Sequence, residues 1–112
     1  MAITQTMCTS FKKEILEATH NFSASGGHTF KIALYTSSAT IGASTTAFTT
    51  AGEASGTAYV SGGFTLTNTG VSSSGTTGFS DFGDAYWNSS SITARGALIY
   101  NSSQSNKAVC VL

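Results

Sequence analysis

The sequence contains no proline, and only 9% of its 112 residues are charged. An average globular domain carries about 25% charged residues. Proline and charge are two usual means of blunting an exposed strand edge against association. A β-rich chain with little of either is expected to have edges that meet partners. Five basic and five acidic residues cancel to zero net charge. A surface near neutrality does not keep molecules apart, which suits a subunit locked into an assembly better than a free monomer.

Other absences narrow the function. No cluster of cations exists beyond Lys12-Lys13, and neutralising nucleic-acid phosphates takes several clustered cations. A nucleic-acid partner is therefore not expected. No stretch approaches the roughly 20 apolar residues of a membrane span, so no membrane partner is expected either. Met1 to Ser10 lack a charged start followed by an apolar run, and the expectation is a soluble product made in the cytoplasm. The two cysteines, Cys8 and Cys110, lie near opposite ends with no Cys-x-x-Cys or Cys/His metal spacing. A bridge between them would staple the ends together; two small buried apolar side chains are the preferred reading.

Chemistry-bearing motifs are missing as well. There is no Gly-x-Ser-x-Gly elbow, phosphate-binding Gly-Lys-Ser/Thr or dinucleotide fingerprint. His20 and His28 flank one loop without a carboxylate or third ligand near them in sequence. Asp81 and Asp84 form the one close acidic pair, but no calcium-loop pattern surrounds them, and a turn role beside Gly83 suffices. Glu53 stands alone. The expectation is a non-enzyme without metal or cofactor.

What is present is hydroxyl-rich. Ser and Thr make up roughly a third of the chain, far above average usage, while the hydrophobic fraction is 40%. Small β-branched and hydroxyl side chains suit pleated surfaces and tight turns. Phe11, Ile15, Ala18 and Phe22 recur at helical spacing, predicting one helix over about 10–22 with Thr9 or Ser10 as N-cap. The period then changes. Residues 29–36 alternate as a half-buried strand, with Phe30, Ile32 and Leu34 on one face. Residues 37–56 read as a long loop with short strand pieces near Thr45–Thr50, and loops of this length usually serve interactions. Strands are expected at 57–61 and 63–67, or one strand bent at Gly62-Gly63, with a turn at 72–75, an aromatic-rich stretch at 78–87, a central strand at 92–101 and a final buried strand at 107–112. One helix and six or so short strands predict a mainly β fold, a small antiparallel β-sandwich with an N-terminal α-helix, in a single domain over 1–112.

The candidate contact residues follow from this map. Tyr86-Trp87 is either core or an exposed platform, since aromatic residues dominate interface hot spots. Arg95, placed inside the 92–101 strand, points to solvent or to an ion pair across a subunit contact. Thr45, Thr46 and Phe48 lie in the 37–56 loop, the expected reaching element.

The opening Met1 to Lys12, the strand Phe30 to Ser37, Ala58-Tyr-Val-Ser-Gly-Gly63 and Thr93 to Asn101 resemble a group of small virion structural proteins of tailed bacteriophages, in order over most of the chain. The resemblance implies a structural protein without catalytic residues. Proteins of that group run on past the strand at 107–112 into a further turn and strand. With low charge and few reactive groups, the resemblance suggests a capsid decoration (cement) protein in the virion, bound to the major capsid protein or other virion proteins and self-associating as a homo-oligomer. A tail or fibre component touching the host surface is the alternative.

Overall fold

The computed structural model describes residues 3–112; Met1 and Ala2, which open the segment carrying the resemblance, lie outside them. The chain is mainly β, with antiparallel sheets and one short helix, as its composition predicts. In order the elements are β1 (Thr6–Met7), α1 (Thr9–Leu16), β2 (Phe30–Tyr35), β3 (Gly56–Thr57), β4 (Phe64–Thr65), β5 (Asn68–Ser74), β6 (Thr77–Phe82), β7 (Ser91–Ile92), β8 (Gly96–Asn101) and β9 (Lys107–Val111). Five strands form the main sheet in the order β1-β9-β8-β2-β4; β3 pairs with β7, and β5 with β6, as separate two-stranded ribbons.

The main sheet holds the core. β2 pairs with β8 from Phe30↔Asn101 to Tyr35↔Gly96. Side chains alternate along each strand, so Phe30, Ile32 and Leu34 share a face, and Lys31, Ala33 and Tyr35 share the other. On the first face Phe30 stacks on Phe22 at 4.4 Å and meets Phe82 at 5.6 Å, with His20 beside it. On the second, Phe48 stacks on Tyr100 at 4.7 Å, and the Tyr35 hydroxyl donates to the Thr49 carbonyl at 2.6 Å. Both faces are thus covered, and the half-buried strand expected at 29–36 is enclosed: Ala33 and Tyr35 are fully buried, more so than Ile32 and Leu34. Each large apolar side chain buried in this way contributes roughly 1.5–3 kcal/mol. The final strand is buried as its two apolar faces predict, through Ala108, Val109 and Val111.

Several boundaries differ from the sequence reading. The helix covers Thr9–Leu16, not 10–22, with Cys8 as N-cap and no side-chain capping bond. It ends because Ala18 turns left-handed (φ 60). There the Thr19 N–H donates to the Glu14 carbonyl and the Ala18 N–H to that of Ile15, the paired bonds of a Schellman stop. Of the apolar stripe on the helix only Phe11 is buried; Ile15 is exposed and Leu16 is 88% exposed. The strand expected at 92–101 divides: Ser91–Ile92 joins the β3 ribbon, and only Gly96–Asn101 enters the main sheet, at its centre. The expected 57–61 strand shrinks to Gly56–Thr57, and the turn expected at 72–75 moves to Gly75-Thr76, with Gly75 at φ 61. A glycine with positive φ at the first central position fits a two-residue hairpin turn.

The 37–56 segment is not a free arm. Ala39, Ile41 and Ala54 are buried. Its later part runs along β9, where the Ala108 N–H donates to the Thr46 carbonyl and the Phe48 N–H to that of Asn106. Its end returns to β2, where the Thr36 N–H donates to the Gly52 carbonyl and the Ala54 N–H to that of Leu34.

Candidate functional site

The most exposed aromatic surface is built around Phe64. Tyr86 lies 5.5 Å from Phe64 between ring centres, Trp87 lies 5.8 Å from it, and Tyr59 lies 6.0 Å from Trp87. Three pieces of chain bring them together. β4 pairs with β2 through Ile32↔Phe64, which places Phe64. The β3–β7 ribbon holds the segments after Thr57 and before Ser91 side by side. Gly63 (φ 85) crosses so close to β2 that a Cβ there would lie 1.9 Å from the Ile32 carbonyl oxygen. Tyr86 is 60% exposed, whereas Trp87 and Phe64 are half-buried. The Tyr86-Trp87 pair is therefore neither core nor free platform: Trp87 packs down and Tyr86 stands out. Val60, next to Tyr59 in the chain, is 73% exposed.

Glu53 anchors this surface from beneath. Its carboxylate accepts from the Tyr59 hydroxyl (2.7 Å), the Ser61 hydroxyl (2.8 Å) and the Gly62 N–H (2.8 Å). The Tyr59 hydroxyl in turn accepts from the Leu34 N–H at 2.9 Å. Burial, reinforced by the hydrogen bond to Glu53, pushes the Tyr59 hydroxyl well above the usual tyrosine range. The Tyr100 hydroxyl closes the turn by donating to the Gly62 carbonyl at 2.6 Å. Glu53 is thus not alone, as its sequence setting suggests. The available signal was its isolation: it is the only charged residue between Lys31 and Asp81, and a lone carboxylate in so neutral a stretch needs partners.

The remaining predicted contact residues fall elsewhere. Thr45, Thr46 and Phe48 sit beside the start of β9. Thr45 is half-buried and its hydroxyl accepts from the Gly42 N–H, Thr46 is exposed, and Phe48 is half-buried on Tyr100. Arg95 is not inside a strand. It lies in a bend ahead of β8, exposed, with its backbone N–H donating to the Tyr35 carbonyl at 2.7 Å. Among the described residues it makes no ion pair within the chain.

The two histidines meet at a residue the sequence reading passed over. Asn101, fully buried at the end of β8, directs its amide nitrogen to Nδ1 of His20 and to Nδ1 of His28, both at 3.0 Å. Its carbonyl oxygen accepts from the Ser103 N–H at 3.0 Å, which fixes the amide's orientation. Both Nδ1 atoms must then be acceptors. His20 carries its proton on Nε2 and donates it to the Glu14 carboxylate at 2.9 Å. His28 Nδ1 also accepts from the Asn21 N–H, so its proton also sits on Nε2 and faces the Gln104 amide at 3.3 Å. That contact is satisfied when the Gln104 carbonyl oxygen is the atom turned to the ring. The Glu14–His20 pair has the composition of a proton relay, but the ring is buried and both its nitrogens are engaged. The cluster joins the helix end, the 17–29 loop and β8.

Cys8 and Cys110 are free thiols, Cys8 buried and Cys110 half-buried. Burial, with Cys110 nearby, pushes the Cys8 thiol up to about 11. Asp81 and Asp84 are exposed, and Asp81 accepts the Phe82 N–H at 2.9 Å. Among the described residues no group of three or more His, Cys, Asp or Glu could hold a metal ion, no pocket opens, and no helix is long and apolar enough to cross a membrane.

β5 and β6 form a ribbon whose residues are almost all exposed, pinned at its base by Phe82 against Phe22 and Phe30. Compared with protein-family models, curated proteins and solved structures, the chain matches none.

Proposed function

We propose that this chain is a structural protein of a tailed-bacteriophage virion, made in the host cytoplasm and working by contact rather than by chemistry. In its more specific form the reading is a capsid decoration protein, seated on the major capsid protein and on copies of itself. The observation that carries it is the exposure of Tyr86 and Val60 beside the half-buried Phe64 and Trp87, on a chain without net charge. Aromatic anchors of this kind dominate protein interfaces. The segments that resemble virion structural proteins support the same reading, and two of them, Ala58–Gly63 and Phe30–Ser37, frame this surface. A bound decoration protein stabilises a shell by mass-action linkage, since it binds the assembled state and not the dissociated one.

A tail or fibre role is the second reading. It is favoured by the outward Tyr86 ring, which could stack on a receptor sugar or side chain. Quantitative mass spectrometry of purified virions separates the two. Decoration requires a copy number comparable to that of the major shell protein. A handful of copies per particle would move the protein to the tail, and absence from the particle would overturn both readings.

A further inference from the structure

The long strands of the main sheet are flanked on both sides. Outside β2 lie β4, the Leu66 N–H on the Phe30 carbonyl, and residues 52–54. Outside β9 lie β1, the Cys8 N–H on the Val109 carbonyl, and Thr46 and Phe48. The ribbon of β5 and β6 behaves differently. Among the described residues, no backbone group from Val71 to Ser80 bonds outside the ribbon. Thr77–Phe82 spans six residues, about 20 Å of open edge at 3.3–3.4 Å per residue. A two-stranded ribbon exposed on both faces is marginally stable on its own.

The two edges of the ribbon are not equivalent. β5 is irregular, with a register shift between Asn68 and Gly70, and a bulge twists an edge away from pairing. β6 is regular and carries Phe79, 47% exposed; Val71, 61% exposed, lies on the opposite face, since Val71 pairs with Ser80 and Phe79 with Ser72. Asp81 is the one charge on the ribbon.

We infer that β6 pairs antiparallel with β6 of a second copy of this chain, joining two ribbons into a four-stranded sheet. A second copy is the fitting occupant for two reasons. Its other long strands have their edges filled from within, so its own β6 is the free regular edge it offers. Zero net charge removes repulsion between copies. A two-fold axis through Phe79 sets the two Phe79 residues opposite each other on one face and Asp81 opposite the partner's Thr77, so the two carboxylates never face each other. The joint is isologous and closes on itself. It is also small, and interfaces below about 1,200 Å² are weak and transient, so pairing is expected to depend on concentration.

This inference deepens the structural reading by naming its assembling element, and its test uses the purified full chain alone. Analytical ultracentrifugation from micromolar to millimolar protein should show a monomer–dimer shift. Phe79→Lys should abolish the shift with an unchanged circular dichroism spectrum, while Val60→Lys, on the aromatic surface, should retain it. Hydrogen exchange of the unmodified protein should slow at 77–82 as the dimer forms. A monomer at every concentration would overturn ribbon pairing and leave the virion reading to the copy count. Dimerisation lost with Val60→Lys and kept with Phe79→Lys, or without slowed exchange at 77–82, would also overturn it.

Discussion

Asn101 holds two imidazoles and a backbone N–H with a single amide. Replacing it with alanine leaves the buried His20 Nδ1 without a partner, while His28 Nδ1 keeps the Asn21 N–H and the exposed Ser103 N–H can turn to water. A buried group left unsatisfied costs about 1–3 kcal/mol. Asn101→Ala is therefore expected to lower unfolding free energy by about 1–3 kcal/mol, measured by urea denaturation; a loss below experimental error would mean that water replaces the amide. Asn101 could not be recognised as a hub from sequence, and Glu53 only by its isolation in an uncharged stretch. Asn at a strand end reads as a turn residue, and a carboxylate reads as solvent-exposed. Their partners, His20 and His28 for one and Tyr59 and Ser61 for the other, are assembled by strand pairing that no local pattern encodes.

At the level of elements, local pattern located the strands better than it bounded them. The alternation in Phe30–Tyr35 and the apolar run in Lys107–Val111 read directly as β2 and β9. The helical spacing of Phe11, Ile15, Ala18 and Phe22 continues across a break in the helix itself. Alanine is the strongest helix former, yet Ala18 takes the left-handed conformation so that His20 and Phe22 can turn in beside Phe11 and Phe30. A left-handed L-residue costs about 1–2 kcal/mol, which glycine avoids. Ala18→Gly is accordingly expected to stabilise the protein by about 1 kcal/mol, seen as a higher melting temperature; a destabilised variant would show that the stop is held by something other than this geometry. The divided strand at 91–101 has a related origin. Ile92 is drawn off to pair with Gly56, and the bend at Arg95 separates it from the sheet.

For the molecule as a whole, the phenols and thiols set an alkaline limit. Burial pushes Cys8 from 9.0 to about 11 and Tyr35 from 10.0 to about 12, and raises Cys110, Tyr59 and Tyr100 as well. Above the ordinary values the folded state keeps protons that the unfolded chain has lost, so stability falls as pH rises there. It should be at its full value below pH 9.0 and decline progressively towards about 12. Thermal melts followed by circular dichroism across this range check it, and a flat profile would contradict the burial of these groups. The mainly β architecture was readable from composition and alternation; the layering over the sheet was not, because residues 37–56 cover it without any regular period of their own.

The position of β9 also bears on synthesis. Lys107–Val111 lies between β1 and β8, so some of the latest-made residues of this stretch complete the interior of the sheet and not its rim. While the ribosome is still upstream of them, β1 has no neighbour and β8 lacks one flank. Pairings this distant along the chain close slowly. Until β9 is available, β1 cannot join the sheet and β8 pairs on its β2 side alone.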